Sequence, residues 1–268
     1  MLRRIVLLSV SAMALSASAN AADIYRAPEG VSLKDAPVYG PAWTGFYAGV
    51  NGGYGWSADD SNLQARHCDG SFPCGVSDGS GSKAFGADGG FGGGQIGYNW
   101  QPATSWGYKD GPALGHIVLG VEADLQGAAI DGSGVLTTAP ANVNAKGTNN
   151  LDWFGTVRGR LGYAMDSTLI YFTGGLAFGG VKDTLSLSGA STVSKDSTDT
   201  GYVLGGGVEH FFSLRWSGKV EYQYIDLGDD KLSTSATHAG ATFDAEHTYN
   251  TVRVGLNYHI APGYEPLK

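Results

Sequence analysis

The chain has 268 residues, a formal net charge of −8, 16 % charged residues and 11 % aromatics. Few charges with frequent aromatics exclude a disordered chain, which is charge-rich and aromatic-poor, and the acidic balance argues against a nucleic-acid partner. Glycine accounts for 43 of the 268 residues, about twice ordinary usage, a composition that suits a glycine-rich β protein.

The chain opens with "MLRRIVLLSVSAMALSASANAADIYR". Arg3 and Arg4 form a basic start, Ile5 to Ala17 an apolar core, and Ala19-Asn20-Ala21 a small-residue cleavage site. This is the pattern of a secretory signal peptide over residues 1–21, with cleavage near Ala21. Its removal takes two arginines with it and shifts the formal charge from −8 to −10. Residues 22–42 carry Pro28, Pro37 and Pro41 among mixed charges and read as a flexible periplasmic lead-in.

Residues 43–260 hold eight alternating segments. In chain order they are "GFYAGVNGGYGWS" from Gly45, "GGGQIGYNWQ" from Gly92, "HIVLGVEADLQGAAI" from His116 and "WFGTVRGRLGYAM" from Trp153, then "TLIYFTGGLAFGG" from Thr168, "GYVLGGGVEHFF" from Gly201, "WSGKVEYQYIDL" from Trp216 and "NTVRVGLNYHI" from Asn250. Each is close to the roughly 9–11 residues of a tilted membrane strand. Long polar stretches follow the first, third, fifth and seventh segments. "DS" joins the fourth to the fifth and "SLR" the sixth to the seventh, while the connection after the second is of middling length. An even number of strands with long and short connections in alternation predicts an all-β fold: an eight-stranded antiparallel up-and-down transmembrane β-barrel with short periplasmic turns and long extracellular loops. Residues 261–268 remain as a C-terminal tail. No stretch after the signal peptide reaches the roughly 18 apolar residues of a membrane helix.

Sorting the segments by parity separates two faces. One carries Phe46, Val50, Tyr54, Ile96, Leu119, Val121, Val157, Leu161, Val220, Val254 and Leu256 without a formal charge, with aromatics such as Trp56, Trp100, Trp153, Tyr163 and Trp216 near the strand ends. That is the face for lipid and its interfaces. The other carries polar residues and eight charges: Glu122, Asp124, Glu209 and Glu221 against Arg158, Arg160, Lys219 and Arg253. Four acids balance four bases, as a closed lumen of buried ion pairs requires, because uncompensated buried charge is very costly. Gly49, Gly53, Gly97, Gly175, Gly205 and Gly207 on this face leave room for the long side chains. Eight strands enclose a bore that side chains can fill, so a plugged interior is expected.

Several stretches closely resemble the small outer-membrane β-barrel proteins of alphaproteobacteria, the porin-family or outer-membrane immunogenic proteins. They are "WTGFYAGVNGGYGW", "GGGQIGYNWQ", "GVEADLQG", "DWFGTVRGRLGYA", "YFTGGLAFG", "KVEYQYIDLG" and "TVRVGLNY". The resemblance runs from Trp43 to Tyr258. It implies a barrel in the outer membrane, surface exposure and an envelope role; members have been described as porins, surface antigens and in some cases haem binders. Such proteins usually end on an aromatic residue, whereas here "NYHI" is followed by "APGYEPLK", which leaves Tyr258 or an internal signal to guide assembly.

Cys68 and Cys74 lie in "RHCDGSFPCGVSDG" and are expected to close a disulfide in an oxidising compartment. Only His67 stands near them, too few ligands for structural zinc. "GGGQIG" matches a dinucleotide-binding pattern but sits inside a strand, without the helix that chemistry needs. "GVSDG" matches a nucleophile elbow but lies in a polar stretch. His238 and His247 share the last long connection with Asp244 and Glu246 and read first as a solvated loop, with metal or haem iron as the rival. No catalytic set stands out, and no cofactor or metal is expected. The expected function is a structural envelope component and surface antigen with outer-membrane lipids, lipopolysaccharide and the barrel-assembly machinery as partners. The alternatives are a small diffusion porin and a receptor for haem or a host surface acting through the long connections.

Overall fold

Period-two alternation becomes extended backbone through most of the chain. The computed structural model describes residues 38–41, 43–67, 80–102, 116–138, 143–190, 192–236, 239–260 and 264–267. Their regular elements are strands: β1 (Val38–Pro41), β2 (Gly45–Ser57), β3 (Ser61–His67), β4 (Ser80–Phe85), β5 (Asp88–Trp100), β6 (Ile117–Thr138), β7 (Val143–Met165), β8 (Thr168–Leu187), β9 (Val193–Phe211), β10 (Trp216–Ala236), β11 (Ala239–Ile260) and β12 (Tyr264–Leu267). β1 pairs with β12 as a two-stranded ribbon, Val38 opposite Leu267.

The barrel is the ring β2-β5-β6-β7-β8-β9-β10-β11, antiparallel throughout and closed where β11 returns to β2 with Leu256 opposite Val50. Closure pairs the backbone groups that an open edge would strand in lipid. Two residues turn β7 into β8, and Asp166 there adopts a left-handed φ of 50°. Facing follows sequence parity. Val50, Ile96, Val121, Val157, Leu176 and Val254 point outward, with Phe172 as much as 72 % exposed. Such a continuous apolar exterior would be an aggregation surface in water and is the expected surface in lipid.

Aromatic rows bound this band. Trp100, Tyr163, Trp216 and Tyr258 mark the short-turn end, and Tyr54, Trp56, Trp153 and Tyr202 the far end. Ten residues separate Trp153 from Tyr163, about 33 Å along a strand at roughly 3.3 Å per residue. A tilt near 40° reduces that to about 25 Å, the height of an outer-membrane apolar band.

Beyond the far row the strands continue through stretches whose polarity suggested loops. The hairpin β3–β4 adds to β11, Ala65 opposite Ala241, and β6 to β11 extend past the row. Here the facing of polarity inverts. Leu63, Ala65, Ala145, Leu185, Leu232, Phe243 and Ala245 form a core inside the ring, while Gln64, Arg66 and Thr242 face outward. Water, not lipid, surrounds this part, so the apolar side turns inward. A second apolar cluster, including Phe91, Ile130, Leu151, Phe154, Val181 and Tyr249, lies nearer the membrane centre. A third, of Trp43, Val118, Ala164, Leu169, Tyr171 and Phe211, fills the short-turn end.

Candidate functional site in the lumen

The eight charged residues singled out by parity sit on β6 (Glu122, Asp124), β7 (Arg158, Arg160), β9 (Glu209), β10 (Lys219, Glu221) and β11 (Arg253). All are buried, none more than 6 % exposed. Glu122 and Arg158 face each other across β6–β7, and Glu221 and Arg253 across β10–β11, so each pair begins as ladder neighbours.

The long side chains then cross the bore. Arg158 bonds Glu122 and Glu221 and reaches Asp124 at 2.8 Å. Arg253 lies 2.8 Å from Glu221, 3.1 Å from Asp124 and 3.2 Å from Glu122. Lys219 meets Glu122 at 2.8 Å. β6 and β10 stand opposite each other in the ring, so the Lys219–Glu122 contact spans its full width.

Toward the short turns a second pair continues the network. Arg160 bonds Glu209, which also accepts from Ser217 at 2.5 Å and Asn257 at 2.8 Å. The Arg160 guanidinium stacks 3.6 Å above the Tyr171 ring, a cation–π contact strengthened by exclusion of water. Tyr hydroxyls add to two of these carboxylates: Tyr47 donates to Glu122 at 2.7 Å and Tyr171 to Glu221 at 2.6 Å. Thr156 donates to Asp124 at 2.8 Å. Fixed cations and hydroxyls occupy these carboxylates, an arrangement that holds walls together rather than one poised to move a proton.

His259 was not singled out by its sequence context. It is buried, 3.5 Å from Glu209 through Nε2 and 2.9 Å from the Ser217 hydroxyl. Its parity matches Asn257 and Arg253, and that was the available signal. Below it, Trp43 closes the inner mouth: its ring centroid is 4.5 Å from that of Phe211, and its indole N–H donates to the Asp166 carbonyl at 3.4 Å. The solvated-loop reading of His247 is corrected: it lies in β11, fully buried on the lumen side, because β11 begins 11 residues before the segment that alternation marked at Asn250. His210 is exposed and bonds Thr168 at 2.9 Å. Cys68, Cys74 and His238 lie outside the described residues.

Residues 5–259 match the outer membrane protein beta-barrel domain. The 31 kDa outer-membrane immunogenic protein of Brucella melitensis biotype 1 is 35 % identical over 266 residues, 96 % of this chain and 99 % of that protein. The 22 kDa outer membrane protein of Rhizobium leguminosarum bv. viciae is 31 % identical over 227 residues, 83 % of this chain and 81 % of that protein. Among solved structures, OprG from Pseudomonas aeruginosa aligns with 82 % of this chain and 99 % of its own, at 13 % identity and a TM-score of 0.46.

Proposed function

Because this chain belongs to the outer membrane protein beta-barrel family, we propose that it serves as a structural component and surface antigen of the cell envelope, with a lumen too full to conduct. Its place is the outer membrane. One observation carries the filled lumen: the 2.8 Å contact between Lys219 and Glu122, which joins opposite walls at the level where a water path would have to pass. Trp43 and Phe211 add an apolar stopper on one side of that layer, and Phe91 and Phe154 another on the other side.

The antigen part of the reading draws on the strand extensions beyond the outer aromatic row. They carry exposed Gln64, Arg66, Lys182, Lys195 and Asp196 on a well-packed scaffold, and the Brucella relative is an immunogenic protein by name. Lipids and lipopolysaccharide are the proposed neighbours of the aromatic rows, which match the headgroup level.

Planar-bilayer recording on the refolded mature chain tests the proposal, with folding verified by heat-modifiable gel mobility. A silent bilayer is expected. Discrete steps that change size in Arg158→Ala would make a diffusion porin the function instead.

A further inference from the structure

Just beyond the outer aromatic row, four successive ring strands each bring one potential metal ligand toward the lumen: Asp183 of β8, Asp199 of β9, Asp230 of β10 and His247 of β11. Ligand atoms of Asp183, Asp230 and His247 all lie within 4.8 Å of one another. His247 Nε2 is 3.1 Å from Asp183 Oδ2 and 4.0 Å from Asp199 Oδ2. Donors about 2.0–2.1 Å from a tetrahedral ion stand roughly 3.3 Å apart, so these spacings bracket the edge of such a site.

Each of the three residues keeps a buried polar atom without a hydrogen bond. His247 Nε2, Asp183 Oδ1 and Asp230 Oδ2 are buried and make none. The imidazole of His247 is fully buried and Asp183 is 1 % exposed. The 3.1 Å approach of His247 to Asp183 is therefore a short distance without hydrogen-bond geometry. Buried polar atoms normally find partners, and His247 Nε2, unbonded although it faces Asp183 and Asp199, suggests an occupant.

The backbone is also shaped for this meeting. Up to Leu227, the odd-numbered residues of β10 face inward: Lys219, Glu221, Gln223, Ile225 and Leu227 itself. A register shift between Asp226 and Asp229, with Gly228 at a φ of 92°, then reverses the parity. Without that bulge Asp230 would face outward; with it, the carboxylate turns toward His247. Bulges commonly re-aim a side chain in this way. The site also has dry walls. Val181 and Leu185 flank Asp183, and Tyr249 and Ala245 flank His247, in two separate apolar clusters.

Charge points to a cation. Three carboxylates converge, and the ammonium of Lys195 bonds Asp230 Oδ1 at 2.5 Å, leaving the other oxygen free to face inward. We propose that Asp183, Asp230 and His247, with Asp199 as fourth ligand, bind a divalent transition-metal ion of the zinc class. An imidazole among the ligands favours such an ion over calcium or magnesium, which prefer oxygen alone. Asp199 and Asp230, the partly exposed members, form the entry side.

Coordination through Nε2 puts the histidine proton on Nδ1. Asn149 lies 3.1 Å from that nitrogen, and turning its amide over presents an oxygen to accept the proton. The two amide orientations are nearly isosteric, but the turn gives up the bond that Asn149 Nδ2 donates to the Glu246 carbonyl at 3.3 Å and places Nδ2 toward the Tyr249 hydroxyl. The ion would tie β8, β9, β10 and β11 together where lipid no longer supports them. The proposal is independent of conduction, because the site lies outside the Glu122–Arg158 layer.

The full mature chain, purified in detergent and stripped with EDTA, is titrated with Zn2+ by calorimetry. One equivalent is expected to bind and to raise the temperature at which the folded gel band disappears. His247→Gln and the more exposed Asp230→Asn should each weaken binding at least tenfold; Asp230→Asn keeps the test valid should His247→Gln fail to fold. His210→Ala, on the outer surface, should leave it unchanged. Three results would overturn the proposal: no stoichiometric Zn2+, binding indifferent to Asp230→Asn, or displacement of Zn2+ by equimolar Ca2+.

Discussion

Replacing Glu122 by Gln tests whether the lumen is dry. The two side chains have nearly the same shape, so the substitution removes charge without opening a cavity. In the folded protein Glu122 faces Arg158, Lys219 at 2.8 Å and Arg253 at 3.2 Å, and accepts from Tyr47 at 2.7 Å. Neutralising it leaves Arg158, Lys219 and Arg253 with only Asp124 and Glu221, three bases against two acids. An uncompensated buried charge of this kind costs about 3–5 kcal/mol, whereas loss of one partner from a solvated pair costs about 0–1 kcal/mol. The gap between those ranges discriminates a packed lumen from a wet one.

The assay is urea unfolding in lipid vesicles, followed by tryptophan fluorescence. Glu122→Gln and Lys219→Met should each fall in the upper range. The double variant restores the balance of charge and should recover most of the loss, with a coupling energy above about 2 kcal/mol. Additive effects, with Glu122→Gln below about 1 kcal/mol, would refute the reasoning: water would then be screening the pair.

Val157 faces outward, 53 % exposed, near the midpoint of the band between Trp153 and Tyr163. Val157→Arg should cost about 2–4 kcal/mol in the same assay, as arginine does at the bilayer midplane, while Val157→Leu should be nearly silent. Trp43 is 1 % exposed against Phe211, so Trp43→Ala should lower stability by about 3 kcal/mol and still give no conductance steps, because the ionic layer persists behind it. Burial and then Asp59, Asp229, Asp244 and Asp226 push the Glu246 carboxyl above its ordinary value. The folded state thus holds that proton more tightly than the unfolded chain. The penalty for ionising Glu246 grows as pH rises from about 4.5 through the raised value. Glu246→Gln should therefore raise the urea midpoint at neutral pH and lose that advantage below the ordinary glutamate range.

Parity made the membrane part of the fold legible because lipid reverses the usual rule without weakening it. In β7, Val157 and Leu161 face out and Arg158 and Arg160 face in, and the equality of acids and bases in the sequence itself implies pairing. The extensions were hidden by a second reversal. In β11, Ala241, Phe243, Ala245, His247, Tyr249, Thr251, Arg253 and Asn257 share one parity and one side of the wall. Their polarity runs from apolar to charged only because the medium outside changes from water to lipid near Asn250. A search for apolar-outward alternation stops at that point and sees a polar loop. Asp230 was harder still, since its facing depends on the bulge at Gly228, and local sequence there reads as a turn.

The glycine content has the same origin as the filled lumen. An eight-stranded ring has a narrow bore, and a large side chain from one strand must lie over the backbone of the next. A Cβ on Gly97 would run into the Tyr47 ring, and one on Gly207 into the hydroxyl of Tyr171. Those two tyrosines hold Glu122 and Glu221, the acids at the centre of the ionic layer. A β-branched residue at either glycine would favour the strand locally and displace the hydroxyl that satisfies a buried carboxylate. Glycine in these strands is therefore a requirement of the ion network one layer away, and the strands recover the lost propensity by pairing on both sides of a closed ring.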